Sequence, residues 1–411
     1  MNKQMITQIG ALILATSGVQ FAAGFFGTFI SLRTALENFE PTMTGVVLSG
    51  YFAGFTVGAF FSGRIIERLG HIRAYAAFGG VVAAATAAMP LIVSPLSWLV
   101  LRVVIGLGCA GVFVTTESWL SAKAEPAERG RIFSIYMVGT FIALALGQLL
   151  IGYVDIGGVA PFNIIVFLFA LALVLVSTTR AEPPRITAAP LPYGRLARTA
   201  PVAVAGAVLS GVIAGAFYAL VPLWMQGRGI ERATIGLVML AAVLGGLAFQ
   251  IPVGRLSDLF DRLIVLTLLG LGLVGTTIAL VFLPRALVAI LPVAALFGGF
   301  LSTLYPVCVA HAHDRMPAEL VVAVSGRLIL LNGLGSVLGP IAGMGVIGRL
   351  GIDGVLYLMS AAALLLALIA GTKSLTSASQ PHLERPFEIL APQAAIIAHD
   401  SRNPRDRPNS C

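Results

Sequence analysis

Long apolar stretches alternate with short polar ones along most of the chain, and twelve of the apolar stretches are long enough to matter. Their approximate limits are 7–32, 42–63, 72–93, 97–121, 131–153, 160–178, 201–226, 234–254, 263–283, 286–312, 321–346 and 352–372. Each is about 20 residues or more, the length at which a helix crosses a hydrocarbon core about 30 Å thick. Inside that core only a helix of this length satisfies its own backbone amides and carbonyls. The pattern predicts an all-α membrane protein of twelve transmembrane helices, and the first run reads as a span, not a cleavable signal.

The same pattern suggests a chain built twice. Between the sixth and seventh runs lies RAEPPRITAAPLPYGRLART, rich in Pro and Arg, which marks a linker at 179–200 between six-helix bundles at 1–178 and 201–372. The dense charge cluster SGRIIERLGHIR, Ser62 to Arg73, has an echo in VGRLSDLFDR, Val253 to Arg262. Laying Gly63 on Gly254 gives an offset of 254 − 63 = 191 residues. The segment 373–411, with five prolines from Pro381 to Pro408, reads as a disordered tail.

Composition sharpens the class. Of 411 residues, 58% are hydrophobic and 11% charged, against about 25% charged in a soluble domain. The net charge of +8 does not imply nucleic acid, because the basic residues fall in short loops, where they set orientation. With both termini in the cytoplasm, 14 Lys and Arg before the tail lie on the cytoplasmic side and 5 on the other. Cys109 and Cys308 sit in apolar runs and Cys411 ends the chain, so no disulfide framework is readable.

The charged loop carries more than orientation. Gly63, Glu67, Arg68, Gly70 and Arg73 resemble the loop signature of the major facilitator superfamily, with Glu67 where Asp is usual. Gly254 and Asp258, followed by Asp261 and Arg262, resemble its weaker second copy. In LRVVIGLGCAG, Arg102, Gly106 and Gly108 are similar to the superfamily's fourth-span motif, with Ile105 replacing a frequent Gln. GCAGVFVTTESWL, GRIFSIYM and STLYPVCVAHAHDR resemble its bacterial YcaD-like branch. The Gly-Pro pair usual in the fifth span of drug/proton exporters is replaced by Gly147-Gln148, while Gly339-Pro340 stands in the eleventh. The resemblance implies two bundles that rock about a midplane site, with the first, fourth, seventh and tenth spans lining it.

Candidate residues follow from that expectation. Gln20 in the first span, Arg102 in the fourth, Tyr218 in the seventh, Tyr305 in the tenth, and Asn332 and Arg327 in the eleventh are candidates for a substrate cavity. Gly24, Gly27, Gly211 and Gly215 share those faces and serve either cavity or close packing. Arg at the centre of a bilayer costs about 2.5–3.5 kcal/mol even on the insertion scale, so Arg102 should face the bundle interior. Arg102 and Glu117 are 15 positions apart, hence about 60° around the axis and about 22 Å along it.

Glu117 has two readings that do not exclude one another. It either locks the cytoplasmic gate through Arg68 or another loop cation, or carries a proton. His311 is either a proton carrier or an interfacial residue. His311, His313 and Asp314 make no metal set, since residues two apart point to different sides of a helix. Under the 191-residue offset Arg102 falls on Val293 and Glu117 on Cys308, so neither charge is repeated.

The expected function is secondary active transport of a small organic solute by alternating access, proton-coupled, direction open. Partners are the solute, protons and the lipid bilayer; no cofactor, metal or nucleic acid is called for, and the unit is a monomer in a bacterial inner membrane. No nucleotide-binding loop supplies another energy source. An uncoupled facilitator is the alternative within transport. A membrane sensor is the alternative outside it, and no convergent nucleophile or metal set suggests an enzyme.

Overall fold

The computed structural model describes residues 3–124, 128–177, 193–282, 286–317 and 320–376. The first six spans are α1 (Lys3–Leu36), α2 (Pro41–Leu69), α3 (His71–Ala88), α4 (Pro95–Lys123), α5 (Arg129–Gly147) and α6 (Ala160–Ser177). After the short helix α7 (Tyr193–Thr199) come α8 (Pro201–Gly227), α9 (Arg232–Leu259), α10 (Arg262–Phe282), α11 (Leu287–His313), α12 (Val321–Leu350) and α13 (Gly354–Thr376). Among the described residues twelve helices are long and apolar enough to cross a membrane, and none forms a strand. Most of the tail lies outside the described residues, as do residue 178 and 179–192 of the linker; α7 occupies the linker's end.

Local chemistry sets the helix ends. Pro41, Pro95 and Pro201 open their helices, where a missing amide proton costs nothing. Gly70, at φ 77°, makes the left-handed break between α2 and α3 that a side chain would strain. Several helices outrun the apolar limits: α1 continues to Leu36, α12 to Leu350 and α13 to Thr376. Hydropathy marks the hydrocarbon core, whereas a helix keeps its hydrogen bonds into the polar interface. The fifth span instead tightens into a 3-10 segment, Gln148–Gly152.

Glycine crossings hold each half together, and they are duplicated. A Cβ on Gly24 would strike the carbonyl of Leu144, and one on Gly147 that of Phe21, so α1 and α5 touch backbone to backbone. Gly215 meets Ser336 and Gly339 meets Val212 in the same way, joining α8 to α12. Gly54 against Val103 and Gly106 against Tyr51 close α2 on α4; Gly245 against Ala295 and Gly298 against Ala242 close α9 on α11. The offset is 191 residues for the first and second helices of each half (215 − 24, 245 − 54) and 192 for the fourth and fifth (298 − 106, 339 − 147). Close packing is thus the role of Gly211 and Gly215; Gly24 both packs closely and borders a cavity, and Gly27, with nothing near its Cβ direction, only borders that cavity.

An arginine staple is also duplicated, on the face opposite α7, here termed the far face. Arg33 at the end of α1 donates to the carbonyls of Ile156 and Gly158 before α6, at 2.8 and 2.9 Å, and pairs with Glu37. Arg228 at the end of α8 grips Asp353 before α13, with Nη2 2.6 Å from each carboxylate oxygen, and Trp224 Nε1 donates to Oδ1 at 2.8 Å. Burial pushes the Asp353 carboxyl up, but the hydrogen bonds from Arg228 and Trp224 and the guanidinium charge outweigh it and hold it below its ordinary 3.8.

The halves meet from mid-membrane to the far face. Ser31 Oγ donates to the carbonyl of Ala219 at 2.6 Å, and Ser49 Oγ to that of Val337 at 2.7 Å. Gly45 abuts Pro340 and Met344, Gly152 abuts Ala233, and Gly236 abuts Gln148.

Two expectations follow. Gly106→Leu or Gly298→Leu should lower stability in detergent by at least about 1–3 kcal/mol through overpacking. Gly80→Leu, whose Cβ direction is open, should leave the unfolding temperature unchanged, and equal losses at all three positions would remove the role given to the crossings. Because the Asp353 carboxyl is held low, its stabilisation is complete above 3.8 and lost as pH falls below it. Asp353→Asn should therefore cost up to about 1 kcal/mol at neutral pH, a half-exposed pair being worth no more, and the difference from wild type should vanish on acidification.

Candidate functional site

A cavity of about 130 Å³ lies between the halves. It is walled by α1, α2, α4, α5 and, through Phe169, α6 on one side and by α8, α11 and α12 on the other, with the far-face contacts closing its deep end. The second, fifth, sixth and eleventh spans thus join the first, fourth, seventh and tenth. They do so because the glycine crossings bring α2 against α4 and α12 against α8.

Of the candidate residues, Arg102, Tyr218, Tyr305 and Asn332 line this cavity. Arg102 is only 5% exposed; its guanidinium stands over the rings of Tyr51 at 4.7 Å and Phe26 at 5.3 Å, and its Nε has no hydrogen-bond partner. The Tyr305 hydroxyl is likewise buried without a partner, and the Tyr51 hydroxyl lies against the Cys109 thiol, a weak acceptor. Asn332 spends its amide protons on the carbonyl of Ala207 and on Ser210 Oγ, at 3.1 and 3.0 Å, which ties α12 to α8. Thr28 donates to Gln148 Oε1 at 2.6 Å, and both line the cavity; the sequence offered only Gly147-Gln148 as a mark of resemblance.

Gln20 and Arg327 lie outside the cavity wall. Gln20 is buried with Oε1 unpartnered, whereas Arg327 is half-buried two residues before the first lining residue of α12, Ile329.

Near the linker face, Glu117 is 5% exposed and its Oε1 has no hydrogen-bond partner. The expected contact with Arg68 is not made: Arg68 and Glu67 are exposed, and Glu117 sits beside the Thr16–Thr116 hydroxyl pair and within electrostatic reach of Tyr136. The charged loop docks on α4 through His71 instead. That residue is 1% exposed, its Nε2 lies 3.2 Å from Ser118 Oγ, and its ring stacks on Trp119. Arg73 is exposed.

Arg262 does in the second half what His71 does in the first, and 262 − 71 is again 191. It is buried at the start of α10 and reaches Asp314 Oδ2 at the end of α11 at 2.7 Å, with Asp258 at 3.7 Å. His311 is buried against Arg315, and His313 lies 2.8 Å from Ser325 Oγ on α12, so neither faces the cavity. Among the described residues no group of three or more His, Cys, Asp and Glu could hold a metal ion.

The sequence model described as Major Facilitator Superfamily matches residues 12–234 and 202–395. The chain belongs to the Major Facilitator Superfamily. A relative from Escherichia coli O7:K1, described as the MFS-type transporter YcaD, is 32% identical over 342 residues, covering 82% of this chain and 88% of its own. The YcaD of E. coli K12 is 32% identical over 348 residues with the same coverage. Among solved structures, a mutant of the nucleoside transporter NupG superposes with a TM-score of 0.77 at 11% identity, covering 89% of this chain and 99% of that one. A bacterial homologue of the lysosomal transporter Spinster gives 0.71 at 15%, covering 90% and 96%. Those two likenesses establish the fold; superfamily membership makes this a multi-pass inner-membrane transport protein that takes a small-molecule solute.

The superfamily fold also corrects the repeat register in the fourth helix. With the 192-residue offset of the glycine crossings, Arg102 falls on Ala294 and Glu117 on Val309. Both positions remain uncharged, so the two charges belong to the first half alone.

Proposed function

We propose that the protein moves a small organic solute across the membrane by alternating access and that the movement is coupled to protons through Glu117. The moving units are 1–178 and 201–372, joined by 179–200, with 373–411 outside them; the linker face and both termini are cytoplasmic. The carrying observation is the position of the cavity, between halves whose contacts run from its depth to the far face. A protein that only held a ligand would gain nothing from dividing its cavity between two halves built as repeats of one another.

Glu117 supports the coupling. A carboxylate withdrawn from water without a cation carries a desolvation cost of several kcal/mol, and taking up a proton removes that cost. Glu117 is buried with an unpartnered oxygen, close to the loop that carries Arg68 and His71. In the opposite state, with the linker face shut, Arg68 and Arg73 approach the end of α4 and the proton leaves. Gly63, Glu67, Arg68, Gly70 and Arg73, with Gly254 and Asp258 in the second copy, form that gate, and His71 and Arg262 anchor it. His311 is placed with the anchors, and Gln20 and Arg327 with the groups that meet the solute on its way through. The unit acts as a monomer, since one chain contains both halves of the cavity.

The test is a flux assay in liposomes containing the purified protein and an internal pH-sensitive dye, challenged with a panel of organic solutes with and without an imposed pH gradient. Wild type should accumulate a solute only with the gradient, and solute entry should carry protons. Glu117→Gln should exchange the same solute down its own gradient but lose accumulation and proton movement. Accumulation that survives in Glu117→Gln would remove it from the coupling, and wild-type flux indifferent to pH would make the protein a facilitator.

A further inference from the structure

The cavity contains an unusual electrostatic arrangement. Arg102 is 95% buried, reaches its position from α4 and forms no ion pair or hydrogen bond with the described residues. No Asp, Glu or Lys joins it in the wall. Glu117, the one carboxyl-bearing residue of α4, lies about 22 Å away along the helix and does not line the cavity. A guanidinium held in hydrocarbon without a counter-ion is strongly unfavourable, and the flanking rings of Phe26 and Tyr51 recover only part of that cost. The Tyr305 hydroxyl, also buried without a partner, and the Tyr51 hydroxyl, beside only the weakly accepting Cys109 thiol, add two donors to the same wall. Much of the remainder is apolar, with Leu48, Phe52, Phe55 and Ile329 among the contributors.

We propose that the cavity is a binding site for a small organic monoanion, a carboxylate or sulfonate on an apolar body, whose charged group takes the place of Arg102's missing counter-ion. The anionic oxygens would accept from the guanidinium and from the tyrosine hydroxyls, and the apolar body would rest on the phenylalanines. Cationic amphiphiles are excluded, because they would add a second positive charge beside one that is already uncompensated. The proposal names the substrate class for the transport reading above. It depends on that reading for the solute's crossing of the membrane, not for its binding.

Thermal unfolding of the purified full-length protein in detergent tests it, at constant ionic strength in chloride. The probes are benzoate, hexanoate, cyclohexanecarboxylate and benzenesulfonate, with benzamide and benzylamine as neutral and cationic counterparts. At least one anion should raise the unfolding temperature in a saturable way, and benzamide and benzylamine should not. Arg102→Gln should weaken that anion by at least about tenfold, the loss of one charge-assisted hydrogen bond. Arg102→Lys, which retains the charge if the glutamine variant folds poorly, should weaken it less than Arg102→Gln does, and Tyr305→Phe should also weaken it.

Protection by none of the four anions, equal protection by benzamide, or protection as strong in Arg102→Gln as in wild type would overturn the proposal. So would saturable protection by chloride alone equal to that of the organic anions, which would make this a bare anion site. Anion binding without any flux in liposomes would retire the transport reading and leave the site standing. Flux of neutral or cationic solutes with no anion protection would do the reverse.

Discussion

Helices inside a bilayer gain little by hiding apolar side chains from one another, since lipid tails are as apolar as leucine. What holds them together is close van der Waals approach, and in this chain that approach is made backbone to backbone at Gly24, Gly54, Gly106 and Gly147 and repeated at Gly215, Gly245, Gly298 and Gly339. Everything else is arranged around those crossings. They press α2 on α4 and α12 on α8, which brings Tyr51 over Arg102 and Asn332 against Ser210, and so they shape both walls of the cavity. These crossings lie within the halves, so they leave open the movement between halves proposed above.

Scaffold and chemistry follow different rules in the duplicated chain. The glycine crossings and the buried anchors His71 and Arg262 recur at an offset of 191 or 192 residues, and the arginine staples recur about one helical turn further on (228 − 33 = 195). Arg102 and Glu117 do not recur; their counterparts are Ala294 and Val309. Asn332 and Arg228 are satisfied by their neighbours. Arg102 and Glu117 retain unsatisfied atoms and stand on one helix, Arg102 in the cavity wall and Glu117 toward the linker face. In the function proposed above, binding and coupling would share that one helix.

Much of the fold was legible in the sequence because a bilayer imposes it. Twelve apolar runs had to be helices, and the paired charged loops exposed the duplication. Membrane depth also told why Arg102 had to turn inward. The partners of individual charges were not legible. Arg68 and Glu117 have complementary charges, but in this conformation the loop is anchored by His71 on Ser118 and Trp119, a contact of aromatic and hydroxyl groups that charge pairing cannot suggest. His311 carried the chemistry of a proton site, yet its neighbour one turn on, Arg315, directs it away from the cavity. Gln148 had a signal that could have been read: it directly follows Gly147, a residue that had to lie at a helix crossing next to the first span.

Rocking of the two halves about the cavity is the central claim, and distances between spin labels measure it directly. One pair would join Leu69 to Leu259 at the linker face and another Leu36 to Leu350 at the far face, all exposed positions, with the native cysteines replaced. Gly45→Trp places an indole against Pro340 and Met344 and so disfavours the far-face contact. The account predicts that this substitution lengthens the far-face distance and shortens the linker-face distance together. A far face that opens while the linker-face distance stays fixed or also lengthens would contradict it.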